Sequence, residues 1–305
     1  LYICINFFKN SIFFLMNFQN DTLKPIAKNM TLNCKGQLID LSTPKVMGIL
    51  NVTPNSFYDG GKFKSDSDIL TQVEKMLTHG ATFIDLGAYS SKPNAEFVSE
   101  EQEIARLIPI VNLILKNFPN TFISIDTFRS KIAELSIENG ASIINDISAG
   151  SLDEKMFEVI AKYNVPYIMM HMKGTPETMQ SLTNYENIVK EILFYFSEKV
   201  AKARSFGIND LIVDPGFGFA KSTNQNFEVL QKLELFQFLE LPILVGFSRK
   251  SMIYKTLNTS SNEALNGTTV LNTISLNKGA NILRVHDVKE AVECVTLFNK
   301  MNSNS

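Results

Sequence analysis

Eight short apolar runs, separated by longer amphipathic stretches, constrain this chain more than any other feature. The runs are Val46–Leu50, Phe83–Leu86, Phe122–Ile125, Ser142–Ile144, Val165–Met170, Leu211–Val213, Ile243–Val245 and Ile282–Val285. Near-continuous apolar runs are what strands covered on both faces require. Between them lie stretches of helical period: Asp66–His79, Glu100–Asn117, Ser130–Asn139, Asn184–Phe206 and Asn262–Lys278. Each reads as a crossover helix. Four of them run into the next strand through Gly80, Gly140, Gly207 or Gly279, the residue type that most easily stops a helix. This alternation predicts the α/β class, as a single (β/α)8 TIM barrel. No GxGxxG follows any of the runs, which weighs against a doubly wound dinucleotide-binding sheet.

The remaining composition excludes several partners. The chain has 305 residues and a formal net charge of −2, so there is no electrostatic case for nucleic acid or an acidic membrane. Three cysteines, Cys4, Cys34 and Cys294, are far apart and form no CxxC. A disulfide framework or zinc site is not expected, and a reducing cytoplasmic setting fits. Residues 1–18 are apolar and aromatic but interrupted by Asn and Lys. They are too short for a spanning helix and lack a signal peptide's basic start and cleavage site. Residues 1–30 are expected to be an extension, upstream-translated or disordered, with Met16 and Met30 as candidate starts; residues 31–305 would form the barrel domain.

Chemistry in a barrel sits on the loops that follow the strands. Here those positions hold Asn51, Gly87–Ser91, Asp126, Asn145-Asp146, His171, Asp214, Ser248-Arg249-Lys250 and Arg284 with His286. Any one Asn or Asp in such a place is commonly a helix cap or turn residue. That explanation weakens when every strand end carries a polar group. Asp126, Asn145, Asp214 and Lys250 supply acceptors and donors suited to a flat heterocycle with an amidine-like edge. Arg284 and His286 alternate along one strand and so share a face. Arginine offers a fork to phosphate oxygens, and histidine adds a donor or a proton. Asn51 brings a carbonyl oxygen suited to Mg²⁺, which keeps most of its waters and bridges phosphates. Two long loops, Asn51–Gly61 and Ala88–Val98, would border the mouth as lids.

These residues lie in motifs that resemble one family. Met47–Gly61 (MGILNVTPNSFYDGG) and Phe83–Arg106 resemble the two signature segments of dihydropteroate synthases. SIDTFRS, ASIINDISAG, YIMMHMKGTPETMQ, VDPGFGFAK, VGFSRKSM and ILRVHDV follow in that family's order. The resemblance covers about Val46 to Val288. It implies a Mg²⁺-dependent transferase joining a pterin diphosphate to p-aminobenzoate, and a homodimer. Asp126, Asn145, Asp214 and Lys250 would hold the pterin, in a slot lined by Ile147, Met170, Phe219 and Gly246. Asn51 would bind Mg²⁺. Arg284 and His286, with Ser91 nearby, would form the diphosphate site. Lys250, Arg284 and His286 would be catalytic. Thr53, Pro54 and Phe57 on the first loop, Ser90, Ser91 and Pro93 on the second, and Ser248 on the seventh would shape the p-aminobenzoate site.

The chain also departs from the family pattern. Its second loop reads Tyr89-Ser90-Ser91-Lys92-Pro93-Asn94 where ESTRPG is common, and Asn55 stands where NVTPDSF has Asp. Lys92 keeps a charge without the guanidinium fork. These changes bear on the p-aminobenzoate contacts and on sulfonamide response, and leave the pterin residues unaltered. Two rival readings remain at this point: a pterin-binding methyltransferase, which would need neither NVTPxSF nor Arg284 with His286, and a pterin-binding paralogue without activity.

Overall fold

The computed structural model describes residues 30–52, 65–89 and 98–303. A two-stranded antiparallel hairpin comes first, β1 (Thr31–Cys34) and β2 (Gln37–Asp40). Eight parallel strands follow: β3 (Lys45–Asn51), β4 (Phe83–Gly87), β5 (Phe122–Asp126), β6 (Ile143–Asp146), β7 (Tyr167–Met170), β8 (Leu211–Asp214), β9 (Leu244–Val245) and β10 (Ile282–Val285). Their order is β8-β7-β6-β5-β4-β3-β10-β9. A parallel bridge between Val213 and Ile243 joins the two outer members, so the sheet closes into a barrel.

Helices return the chain between strands: α1 (Asp66–Thr78), α2 (Glu100–Asn117), α3 (Ser130–Glu138), α4 (Met156–Tyr163), α5 (Ile188–Ser205), α6 (Thr223–Gln231), α7 (Ser251–Tyr254), α8 (Leu265–Asn277) and α9 (Val288–Asn302). Ser99 starts α2, and Ser222 starts α6, with full capping boxes, which satisfy the first free amides. Gly80, Gly140, Gly207 and Gly279 all take positive φ where a helix gives way to the next strand. The five helices expected from sequence are present. The hairpin, α4, α6, α7 and α9 are additions that the sequence pattern does not announce.

The alternation of strand side chains sorts the core into two layers. Val46, Leu50, Ile84, Leu86, Ile123 and Ile125 face outward and pack on helix residues such as Val73, Leu107 and Val111. Met47, Phe83, Ile143, Ile168, Ile212, Leu244 and Ile282 face inward and meet Leu32, Cys34 and Leu41. The hairpin and its following turn therefore plug the end of the barrel where the strands begin. Two residues further along a strand the same face recurs. From those inward apolar residues the step of two leads to Asp85, Asn145, Met170, Asp214, Gly246 and Arg284. The interior thus changes from apolar to polar toward the strands' C-terminal ends.

One buried carboxylate shapes the loop after β6. Asp146 accepts from the backbone N–H groups of Ser148 and Gly150, from the Ser148 hydroxyl and, at 2.7 Å, from Tyr167. This arrangement fixes the backbone around Ile147. Tyr167→Phe removes one donor from a fully buried anion. It is expected to lower stability by about 1–3 kcal/mol, read as a lower midpoint in urea; an unchanged midpoint would refute the role.

Candidate active site at the C-terminal mouth of the barrel

The site is built around an arginine gripped by two carboxylates. Arg284 Nε donates to Asp85 Oδ2 at 2.6 Å, and Nη2 donates to Asp126 Oδ2 at 2.7 Å. Asn145 Nδ2 donates to the same Asp85 oxygen at 3.2 Å. Asp85 is wholly buried, and its Oδ1 has no hydrogen-bond partner among the described residues. Burial pushes the Asp126 carboxyl well above the usual carboxylate range, against the pull of Arg284 and with a further push from Asp85.

Lys250 approaches from the loop after β9. Its Nζ donates to the Phe217 carbonyl at 2.6 Å and lies 4.8 Å from the Phe219 ring centre. Burial lowers this ammonium to about 8, while Asp214 and Asp126 act in the opposite direction. Asp214 is buried and accepts from Gly216 N at 2.8 Å. Its carboxyl is raised by burial and held down in part by Lys250. Two cations and three carboxylates therefore share one mouth, and each tunes the charge of its neighbours.

An apolar wall stands beside them. Ile147, Met170, Met172, Met179 and Ala220 form one buried cluster, with Phe128, Leu152 and Phe219 packed on it. Three of the four slot residues expected from sequence thus fall in a single patch. The fourth, Gly246, is where an added Cβ would come 3.6 Å from Arg284 Cβ, so the glycine leaves the arginine its space.

The rim carries His286, Ser248 and Asn51. Ser248 Oγ accepts from the His286 backbone N–H at 3.2 Å and lies 3.2 Å from its Nδ1. A hydroxyl that accepts from the amide can give its own proton to Nδ1. The same hydroxyl can instead accept from an Nδ1–H, so the contact holds the ring in either tautomer. Arg249, at φ 54°, makes a bidentate pair with Asp287 (2.7 and 2.9 Å) and ties the loop after β9 to the loop after β10. Ser248, just before it, is thereby set against His286. Asn51 closes β3, and a Cβ placed on Gly87 would lie 3.6 Å from its Oδ1 and 3.4 Å from Asp126 Cβ. Gly87 leaves a small gap between the two side chains.

Asp126, Asn145, Asp214, Lys250 and Arg284 are brought together as the sequence led one to expect, and Asn51, His286 and Ser248 stand at the same end. Thr53, Pro54, Phe57, Ser90, Ser91 and Pro93 lie outside the described residues. Two participants escape sequence reasoning. Asp85 is a carboxylate inside the run Phe83–Leu86, and a charge in a buried run is itself the signal. Lys221 sits inside VDPGFGFAK, where nothing marks it as buried. His171 is 2% exposed and its ring meets Lys221 rather than the mouth.

A model of the family described as "Pterin binding enzyme" matches residues 47–286. The chain belongs to the pterin-binding enzyme family. Among curated relatives, the dihydropteroate synthase of Escherichia coli (strain K12) is 43% identical over 268 residues, covering 87% of this chain and 94% of the relative. That of Haemophilus influenzae is 41% identical over 261 residues, covering 85% and 94%. Among solved structures, the Yersinia pestis dihydropteroate synthase in a sulfonamide drug complex superposes with a TM-score of 0.85 at 40% identity, covering 90% of this chain and 100% of that one. The Xanthomonas albilineans synthase with 4-aminobenzoic acid gives 0.83 at 31% identity, covering 90% and 99%. A pterin bound at the strand-end cluster would lie beside the loop after β8, which carries Phe219. Gly216→Ala probes this placement: a Cβ there would sit 2.1 Å from the His171 carbonyl oxygen, at φ +72°. Displacing the loop that carries Phe219 is expected to weaken pterin binding at least tenfold by titration calorimetry; unchanged affinity would place the pterin elsewhere.

Proposed function

We infer that the chain catalyses the dihydropteroate synthase reaction of folate biosynthesis. It joins (7,8-dihydropterin-6-yl)methyl diphosphate to 4-aminobenzoate, giving 7,8-dihydropteroate and pyrophosphate. The observation that carries the assignment of residues is the convergence of Arg284 and Lys250 with Asp85, Asp126 and Asp214 at one mouth. Asp126, Asn145 and Asp214 offer acceptors and an amide to the ring's N–H groups and carbonyl. Ile147, Met170 and Phe219 cover its faces. Lys250, Arg284 and His286 stabilise the charge that develops as diphosphate leaves. The arylamine lone pair attacks the exocyclic methylene, the C–O bond to diphosphate breaks with its electron pair, and the amine loses a proton to solvent. Thr53, Pro54, Phe57, Ser90, Ser91, Pro93 and Ser248 would frame the arylamine.

The Mg²⁺ the family implies fits what is present at the rim. No group of three or more His, Cys, Asp or Glu side chains among the described residues could hold a metal by itself. A cation shared with diphosphate and waters needs few protein ligands, and Asn51 Oδ1 stands at the gap left by Gly87. Asn51 would hold the ion, which when bound neutralises diphosphate charge.

Two further expectations remain proposals. The exposed apolar residues Val270, Ile274, Leu297 and Met301 lie on α8 and α9, and we assign this face to a homodimer contact. Sedimentation should give twice the chain mass, and Leu297→Glu should give a monomer. The second is a cytoplasmic location. No helix among the described residues is long and apolar enough to cross a membrane.

The defining assay mixes protein, pterin diphosphate, p-aminobenzoate and Mg²⁺ and follows pyrophosphate. Release should depend on the amine; amine-independent release, or none, would overturn the reading. Its pH profile should be bell-shaped. Asp126 must be ionised to accept from the ring, and its raised pKa places the acid limb above the usual carboxylate range. Lys250 must be protonated, so kcat/KM should fall as pH rises through about 8 by roughly tenfold per unit. A flat profile to roughly pH 9.5, well beyond the range in which such a group titrates, would remove Lys250 from its assigned role.

A further inference from the structure

The proposed reaction draws on one of two lysines on the loops after β8 and β9. The other, Lys221, is 7% exposed and forms no ion pair among the described residues. Its Nζ instead donates to the carbonyls of Gly216 at 2.9 Å and Phe219 at 3.1 Å, and lies 3.1 Å from His171 Nδ1. Three uncharged partners thus account for the three directions of the ammonium. Burial lowers Lys221 to about 7, in spite of Asp214 nearby. Burial also holds the His171 imidazole well below its ordinary value, with Lys221 adding to the effect. With its proton on Nε2, the uncharged ring would accept from Lys221 at Nδ1.

The bonds of Lys221 all serve the loop after β8. Gly216, whose carbonyl it holds, gives its own N–H to Asp214. Phe219, whose carbonyl it also holds, carries the ring beneath Lys250. The bond to His171 fastens this loop to the end of β7, where Gly216 already presses so close that no Cβ fits. Tyr195 and Tyr185 pack on the His171 ring, at 4.9 and 6.2 Å between centroids, and hold it in place. Tyr185 also donates to the Ala220 carbonyl at 2.9 Å.

We propose that Lys221 and His171 form a latch that sets residues 215–221 in the shape that presents Asp214 and Phe219 to the pterin. Both are positioning residues. The proposal rests on the assignment of Asp214 and Phe219 to the pterin site. A buried amine with no carboxylate in contact is a poor stabiliser of a fold; two of its bonds go to carbonyls of the loop that follows Asp214 and carries Phe219, and the third ties that loop to His171.

The test compares Lys221→Met, Lys221→Arg, His171→Leu and Asp214→Asn, each checked for folding by thermal melt. Lys221→Met and His171→Leu should each raise KM for the pterin diphosphate tenfold or more, with KM for p-aminobenzoate within threefold of the parent. Lys221→Arg, which keeps donors, should recover part of the loss. The double variant Lys221→Met/His171→Leu should lose little beyond either single one, because both remove the same latch. A pterin KM within twofold of the parent in folded Lys221→Met overturns the latch. So does an equal rise in both KM values, which marks a general structural defect. If Lys221→Met does not fold, the same two KM values measured on His171→Leu decide the question. Asp214→Asn separates the premises. If it leaves the pterin KM unchanged, the site assignment fails; if it raises KM while the latch variants do not, only the latch fails.

Discussion

Replacing Arg284 with alanine is expected to abolish measurable turnover and to destabilise the fold at the same time. The guanidinium bonds to both Asp85 and Asp126, and Asp85 is wholly buried. Removing it leaves two carboxylates facing each other in the barrel mouth without a cation between them. Breaking a buried ion pair from one side costs about 3–5 kcal/mol. The midpoint of urea unfolding should fall accordingly, and kcat/KM should fall on the order of 10³-fold if, as proposed, the same cation stabilises the leaving diphosphate. The two effects separate in the double variant Arg284→Ala/Asp85→Asn. Neutralising Asp85 removes one uncompensated charge, so stability should recover in part while activity does not. Full stability in Arg284→Ala alone would show that the two carboxylates do not depend on it.

Lys250→Ala is expected to act on the reaction with little effect on the fold. Among the described residues its Nζ makes one hydrogen bond, to the Phe217 carbonyl, and Asp214, Asp126, Arg284 and the face of Phe219 surround it. A donor aimed at developing charge in a site shielded from water contributes on the order of 10²–10³ in rate. The fall should appear in kcat/KM for the pterin diphosphate, and the alkaline limb near pH 8 should vanish with it. A loss below threefold, or an unchanged alkaline limb, would assign that limb to another group. Lys221, lowered to about 7, is the alternative, and Lys221→Arg, which cannot lose its proton in this range, tells the two apart.

Of the second-loop departures, Tyr89 lies within the described residues. Tyr89, at the end of the described segment, packs edge-on against Phe128 at 5.3 Å, and Arg129 lies over both rings. Phe128 in turn packs on the apolar wall with Ile147 and Met170. Tyr89 is therefore joined to that apolar wall through Phe128. Arg129 also donates to the Val98 carbonyl at 2.8 Å and pairs with the buried Glu103. The foot of the loop on each side is tied to the same guanidinium.

Much of this protein is legible in its sequence. A strand covered on both faces must be apolar throughout, so eight such runs announce eight strands, and the helical stretches between them announce a barrel. The residue just after a run is the first free to be polar, which is why Asn51, Asp126 and Asp214 can be picked out. Arg284 and His286 follow from the period of two. What sequence cannot show depends on contacts between segments far apart in the chain. Asp85 looks like an interruption of an apolar run until Arg284, 199 positions away, is seen beside it. Lys221 reads as the surface end of a glycine-rich loop; only the packing of that loop against His171 buries it. The hairpin at Thr31–Asp40 is too short and too polar on one face to signal strands, and its place under the barrel comes from Leu32, Cys34 and Leu41 filling the open end. Local pattern determined which residues form strands and which end them, because periodicity and chain polarity act over a few residues. Tertiary structure alone decided which charges meet, because a charge's partner is set by how the barrel closes and not by its neighbours in the chain.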